Sequence, residues 1–288
     1  MAVTLRGPTG SAPLRTALVA ALALVAATPL VWMVNVSLMP AGSAANFPPP
    51  FWPAHPTLDN YRELLFAHPG IGGASTDYRI LPAIVNSIVL ATLTTLAALA
   101  LTVPAGYAFA KLRFAGRARL LQAMLALAVV PTQVAMLPLF LMLKWAGLVN
   151  SYAGVLAPWL AGVYGVLFVR QATLAIPDEM LDAGRIDGAS EWRILTRIVL
   201  PLLRPVVVTL ALFSFLASWS DFLWPLIAIT DQNLYTLPVA LAAISREHAR
   251  DTELMMAGAV VTTAPVLLLF LALQRYYLTG VLGGGIKG

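Results

Sequence analysis

Residues 80–110 contain no Asp, Glu, Lys or Arg, and residues 16–37, 120–143, 145–169 and 254–274 share that property. A sixth apolar run, residues 205–230, is interrupted once, by Asp221. An α-helix needs about 20 mostly apolar residues to cross a bilayer. The runs are long and do not alternate, which excludes a closed β-barrel. They predict an all-α membrane protein with about six transmembrane helices, at residues 15–37, 83–110, 119–143, 152–170, 204–229 and 256–277. Composition agrees. Hydrophobic residues make up 59% of the 288, and charged residues only 11%, against about 25% in soluble domains. Cysteine is absent, which removes disulfides, thiolate nucleophiles and Cys-based metal sites.

The first run follows Arg6 and Arg15 and precedes small residues at 41–45, as a secretory signal does. It exceeds the 7–15 apolar residues of a signal peptide, so it is expected to stay as a membrane anchor. Orientation follows from Lys and Arg. With a cytoplasmic N-terminus, thirteen of the eighteen lie inside and five outside, so both termini are expected in the cytoplasm. Lys111, Arg113, Arg117 and Arg119 are then expected to do no more than set topology. Two outside segments result, residues 39–79 and 231–253, the second of them polar. They hold all three histidines, His55, His68 and His248, at spacings unlike a metal site. No metal ligands, P-loop or nucleophile–base pair are found, so no catalytic residues are assigned. The net charge of +5 is read as topology, with no nucleic-acid partner.

The most informative segment is the inside loop 176–205. Pro177 suits a first helical turn, and Asp178 and Glu179 complement the positive end of the helix dipole. Asp187-Gly188 signals a turn, and Ser190 can cap a second helix. In that helix Trp192, Leu195, Val199 and Leu202 form an apolar stripe with Arg193 and Arg197 off it, and Pro201 is expected to end or kink it. Such a pair of helices is either an interfacial amphipathic element or a dock for a cytoplasmic partner.

This loop resembles the EAA signature of the inner-membrane permease subunits of binding-protein-dependent ABC importers. The pattern is met by Asp182-Ala183-Gly184, Asp187-Gly188-Ala189 and Leu200-Pro201. Asp182 replaces the usual Glu, and Gly184 the second Ala. Asn86-Ser87, Tyr107-Ala108-Phe109-Ala110, Trp219-Ser220-Asp221-Phe222-Leu223-Trp224-Pro225 and the tail Gly285-Ile286-Lys287-Gly288 resemble the carbohydrate branch, in particular its smaller, maltose-type subunit. The resemblance implies a type I importer fold, with residues 1–14 and 281–288 as cytoplasmic tails around a permease domain at 15–280. It also implies a second homologous permease, two copies of a cytoplasmic ATPase that carries the ATP and Mg, and an extracytoplasmic solute-binding protein. The EAA residues, with Ile286, Lys287 and Gly288, are the expected ATPase contacts. The 231–253 loop is the expected contact for the binding protein. The localisation implied is a bacterial or archaeal cytoplasmic membrane.

For the substrate pathway, Asp221 is the one acid within an expected span, and intramembrane charges usually face a cavity or a partner. Trp219 and Trp224 flank it with faces suited to sugar rings, and Gln133 stands beside Pro131. The alternative is that Asp221 packs helices and both Trp residues belong to the interfacial belt. An ion-coupled secondary transporter is the alternative function, although a midplane ion site and an internal repeat are not evident.

Overall fold

A computed structural model describes residues 12–46, 48, 50–66, 80–160, 162–247 and 251–283. It is helical, with no strand among the described residues. The helices are α1 (Ala12–Ser37), α2 (Asp59–Phe66), α3 (Ile80–Lys111), α4 (Arg117–Ala128), α5 (Thr132–Trp145), α6 (Tyr152–Leu156) and α7 (Val163–Leu174). After these come α8 (Asp178–Ile186), α9 (Glu191–Ile194), α10 (Leu200–Leu202), α11 (Arg204–Trp219), α12 (Leu223–Ala228), α13 (Leu237–Glu247) and α14 (Thr252–Gly283). The chain forms two compact units, one from Met1–Tyr78 and Ile244–Thr263, the other from Arg79–Ala243 and Ala264–Gly288.

In the first unit α1 leaves Leu18, Leu22 and Val25 exposed, as suits a helix solvated by lipid. Polar groups tie down the chain that follows it. Asn60 of α2 donates to the carbonyls of Ser37 and Met39, both at 2.8 Å, and the Ser37 and Tyr61 hydroxyls meet at 2.7 Å. A 3₁₀ turn at Ser43–Ala45 places the Ala44 N–H 2.7 Å from Oε1 of Glu253. Glu253 is buried, whereas residues 231–253 were expected to be a plain polar segment. That expectation also missed α13, whose Leu237, Val239, Ala240 and Ile244 are buried. A mean over the segment hides an amphipathic helix, because polarity on one face cancels apolarity on the other.

The second unit is built on α3, which packs along α7 and α11. Among the described residues, three helical stretches are long and apolar enough to cross a membrane: Leu14–Ser37, Ile80–Lys111 and Thr252–Gln274. The other three expected spans are not single rods. Span 119–143 is α4 and α5 meeting at 104°. The break lies at Pro131, which has extended backbone (φ −60°, ψ 130°) and no N–H to carry a helix forward. Span 152–170 is bent by 43° and reaches Leu174. Span 204–229 stops as α11 at Trp219 and restarts as α12 at Leu223. Pro225 cannot donate to residue 221, which leaves the helix one bond short where it breaks. A charge-free run reports burial in lipid but not straightness.

Candidate functional site

The loop 176–205 folds into a knob at one end of the second unit. Asp178 and Glu179 lie in the first turn of α8 as expected, while Pro177 stands just before it, at the N-cap, rather than in that turn. The helix ends where Gly188 turns left-handed at φ +76°. The Gly188 N–H then bonds the Arg185 carbonyl at 3.0 Å, and the Ala189 N–H bonds that of Gly184 at 2.9 Å. These are the two bonds of a Schellman cap. Ser190 starts the second helix, its hydroxyl accepting from the Arg193 N–H at 3.4 Å.

The apolar stripe of the second helix differs from expectation. Ile194, Leu195 and Val199 are buried against Val103, Tyr107, Val169 and Leu181, while Trp192 and Leu202 are exposed. The shift has a local cause. Leu195 and Val199 are buried as expected, but they lie in a π-helical turn at Leu195–Val199, so the 3.6-residue period fails across it and Leu202, beyond it, comes out exposed. Pro201, which offers no N–H to the preceding turn, follows directly. The chain nonetheless stays helical through Pro201 and bends by 83° only at Leu203, between Glu191–Leu202 and Arg204–Trp219. Gly184 lies under this helix, and a Cβ built on it would sit 3.1 Å from Cδ1 of Ile198.

Polar contacts fasten the knob to α3. Arg185 donates to Asp182 at 2.7 Å and to Glu191 at 2.8 Å, and the hydroxyl of buried Tyr107 donates to the other oxygen of Glu191. Hydrogen bonding from Arg185 holds the Glu191 carboxyl below the usual range, and the two carboxylates push the Arg185 guanidinium up. A second clasp comes from Lys111, which donates to the Ile176 carbonyl and to Asp178, each at 2.6 Å. That bond holds the Asp178 carboxyl low. Arg117 donates to the Leu112 and Ala110 carbonyls, and Arg170 to that of Phe109, where a helix end leaves carbonyls unpaired. Lys111 and Arg117 therefore do more than set topology. Sequence reasoning singled out Asp182 but gave Tyr107, Glu191 and Lys111 no part in fastening the knob, because the Tyr107–Glu191 and Lys111–Asp178 pairs are distant in the chain.

The outer surface of the knob combines charge with exposed apolar side chains. Asp182, Ala183 and Asp187 are exposed. Ile186 is 86% exposed beside the turn, and Trp192 is 65% exposed. The other expected contacts, Ile286, Lys287 and Gly288, lie outside the described residues.

The four pathway candidates fall in different settings. Trp219 is buried and stacks on Phe215, with centroids 6.0 Å apart. Trp224 is buried, its indole N–H donating to the Gly154 carbonyl at 3.2 Å. Asp221 accepts from the Trp224 N–H in the first turn of α12 at 3.4 Å. Gln133 is exposed in the first turn of α5, just past the break at Pro131. Among the described residues, no three His, Cys, Asp or Glu gather where they could hold a metal ion.

Comparison with known proteins completes the picture. Residues 102–281 match the family described as binding-protein-dependent transport system inner membrane component. The arabinooligosaccharides transport system permease protein AraQ of Halalkalibacterium halodurans is 36% identical over 203 residues, covering 70% of this chain and 73% of that one. The galactooligosaccharides transport system permease protein GanQ of Bacillus subtilis is 30% identical over 274 residues, 94% of each chain. The lactose transport system permease protein LacG of Rhizobium radiobacter is 31% identical over 198 residues, covering 69% and 72%. The crystal structure of a bacterial ABC transporter that imports the polysaccharide alginate has the same fold, with a TM-score of 0.78 at 20% identity over 96% of this chain and all of that one. The fold is that of a type I ABC importer permease, and the ion-coupled secondary transporter finds no support. The chain belongs to the family of inner-membrane permease components of binding-protein-dependent transport systems.

Proposed function

We propose that this chain is one of two homologous permease subunits of an importer for a carbohydrate, with uptake driven by a separate ATPase. The carbohydrate class rests on relatives named for arabino-oligosaccharides, galacto-oligosaccharides and lactose. Coupling rests on one observation: a rigidly capped knob that carries exposed Ile186 and Trp192 at its surface. Two copies of the ATPase would dock below the pair of permeases, each permease knob entering a cleft of one ATPase. The ATPases would carry the ATP and Mg, leaving this chain a pore-forming subunit with no catalytic group and no cofactor. The tail residues Ile286, Lys287 and Gly288 would add a second ATPase contact. An extracytoplasmic binding protein would deliver the sugar to the 231–253 side.

With thirteen of the eighteen Lys and Arg on one side, both termini and the knob would face the cytoplasm, and the bacterial relatives support a bacterial or archaeal membrane. For the pathway, Gln133 is the best placed of the four candidates: it is exposed beside the break at Pro131, whereas Trp219 and Trp224 are buried and Asp221 is half-buried, and broken helices at membrane depth line cavities or are buried in protein. Asp221, Trp219 and Trp224 would shape that wall by holding α11 and α12, rather than by binding sugar directly.

The test takes the solute-binding protein encoded beside this chain and measures its thermal stabilisation by arabinotriose, lactose and galactobiose. The stabilising sugar is then offered to proteoliposomes holding the full complex. Sugar uptake that requires both ATP and the binding protein is expected. Uptake driven by an ion gradient without ATP would overturn the assignment.

A further inference from the structure

We propose that α3 is the rod joining the loop that faces the binding protein to the knob that faces the ATPase, with Asn86 and Tyr107 as its positioning residues; this rests on the transport reading above. Hydrogen bonds hold both ends of this one helix to functional segments. At one end the buried Asn86 amide donates to the carbonyls of Asn233 at 2.8 Å and Tyr235 at 3.0 Å. Its oxygen accepts from the Tyr152 hydroxyl at 2.6 Å. Ser87 accepts from the Leu237 N–H at 2.8 Å. The Asn233–Leu237 stretch is therefore tied to α3 through three backbone groups.

The tip of that loop is also restrained. Asn150, in the left-handed region at φ 56°, accepts from the N–H groups of Thr230 at 2.6 Å and Asp231 at 3.1 Å. Exposed Asp231 and Gln232 thus stand on a fixed platform. A buried amide with both donors and its acceptor engaged is costly to break.

At the other end, Tyr107 bonds Glu191 of the knob, and Lys111 bonds Asp178. Asn86 and Tyr107 lie about 32 Å apart along one helix, at 1.5 Å per residue. Between them α3 stays helical through Pro104 and packs along α7 and α11. A tilt or rotation of α3 therefore displaces the loop and the knob together. A signal between them needs no contact other than this helix and its two polar fastenings.

The test is a double-mutant cycle on the complete transporter in lipid nanodiscs. The readout is the ratio of ATP hydrolysis with the binding protein, loaded with whichever of arabinotriose, lactose or galactobiose stabilises it, to hydrolysis without it. Asn86→Ala and Tyr107→Phe are each expected to lower this ratio about two- to fivefold. The double variant is expected to lower it no further than the more damaging single one, because both act on one element. Retention of the ATPase in a pull-down reports whether the knob still docks, and loss of retention in either variant would make its role purely structural and overturn the proposal. Normal ratios in both variants, or effects that multiply in the double variant, would overturn it too. A wild-type complex that the loaded binding protein does not stimulate would instead overturn the transport reading itself.

Discussion

Gly188 offers the sharpest perturbation of the knob, because strain and bulk can be separated there. Its φ is +76°, and a Cβ added to it would meet nothing within 4 Å. Any penalty within the chain therefore comes from the backbone and not from crowding. An L-residue in the left-handed region costs about 1–2 kcal/mol, least for Asn and most for a β-branched side chain. If the strain is relieved by leaving that region, the Schellman bonds from Gly188 and Ala189 are lost, at about 0.5–1.5 kcal/mol each. The two routes bracket the effect of Gly188→Val at about 2 kcal/mol, a shift of roughly thirtyfold against the formed turn. Gly188→Ala should cost about 1 kcal/mol, and Gly188→Asn a few tenths. The assay is retention of the ATPase on purified, membrane-inserted variants, with sugar uptake alongside. Retention should fall in the order Gly, Asn, Ala, Val, with uptake nearly lost for Val. If Asn, which is larger than Ala, were as damaging as Val, crowding against the partner would be the cause and the strain argument would fail. Three near-normal variants would show that the knob is an interfacial helix with no docking role.

Asp182→Asn should do much less than Gly188→Val, since the pair is exposed and worth about 0.2–0.5 kcal/mol, and Arg185 keeps Glu191. ATPase retention within twofold of the wild type is expected, and a Val-like loss would contradict this. Gly184→Ala restores the signature residue and gains helix propensity of about 1 kcal/mol, while the flexible Ile198 tip has to yield slightly; thermal melts should show no destabilisation, and a clear drop would mean Ile198 cannot move. The Glu191 and Asp178 carboxyls are both held low, so their stabilisation is complete above the unfolded values near 4 and disappears as pH falls through the folded ones. ATPase retention should then be flat from pH 5.5 to 8, and a transition inside that window would point to another group. Because the chain lacks cysteine, single cysteines report topology directly: one at Asn46 should react with an impermeant thiol reagent added outside and one at Asp187 should not, and the opposite pattern would reverse the orientation.

Apolar runs and the placement of Lys and Arg were enough to read a helical membrane protein from the chain alone, because lipid solvation depends on composition along the chain. Local turn chemistry was equally legible. Gly188 and Ser190 act on backbone groups within a few residues, and each stands where that chemistry requires, with Pro177 one place outside the expected turn. What composition could not reveal was how each run is bent, since Pro131 breaks one span by 104° while α3 continues through Pro104; whether a proline breaks a helix depends on what packs around it. The stripe of the second knob helix went astray at Leu202 for a related reason, as the π-helical turn at Leu195–Val199 shifts the period beyond it. The fastening of the knob lay furthest from view. Tyr107 meets Glu191 across 84 positions, and Lys111 meets Asp178 across 67, and pairings at such separations exist only once α3, α8 and α9 are packed together.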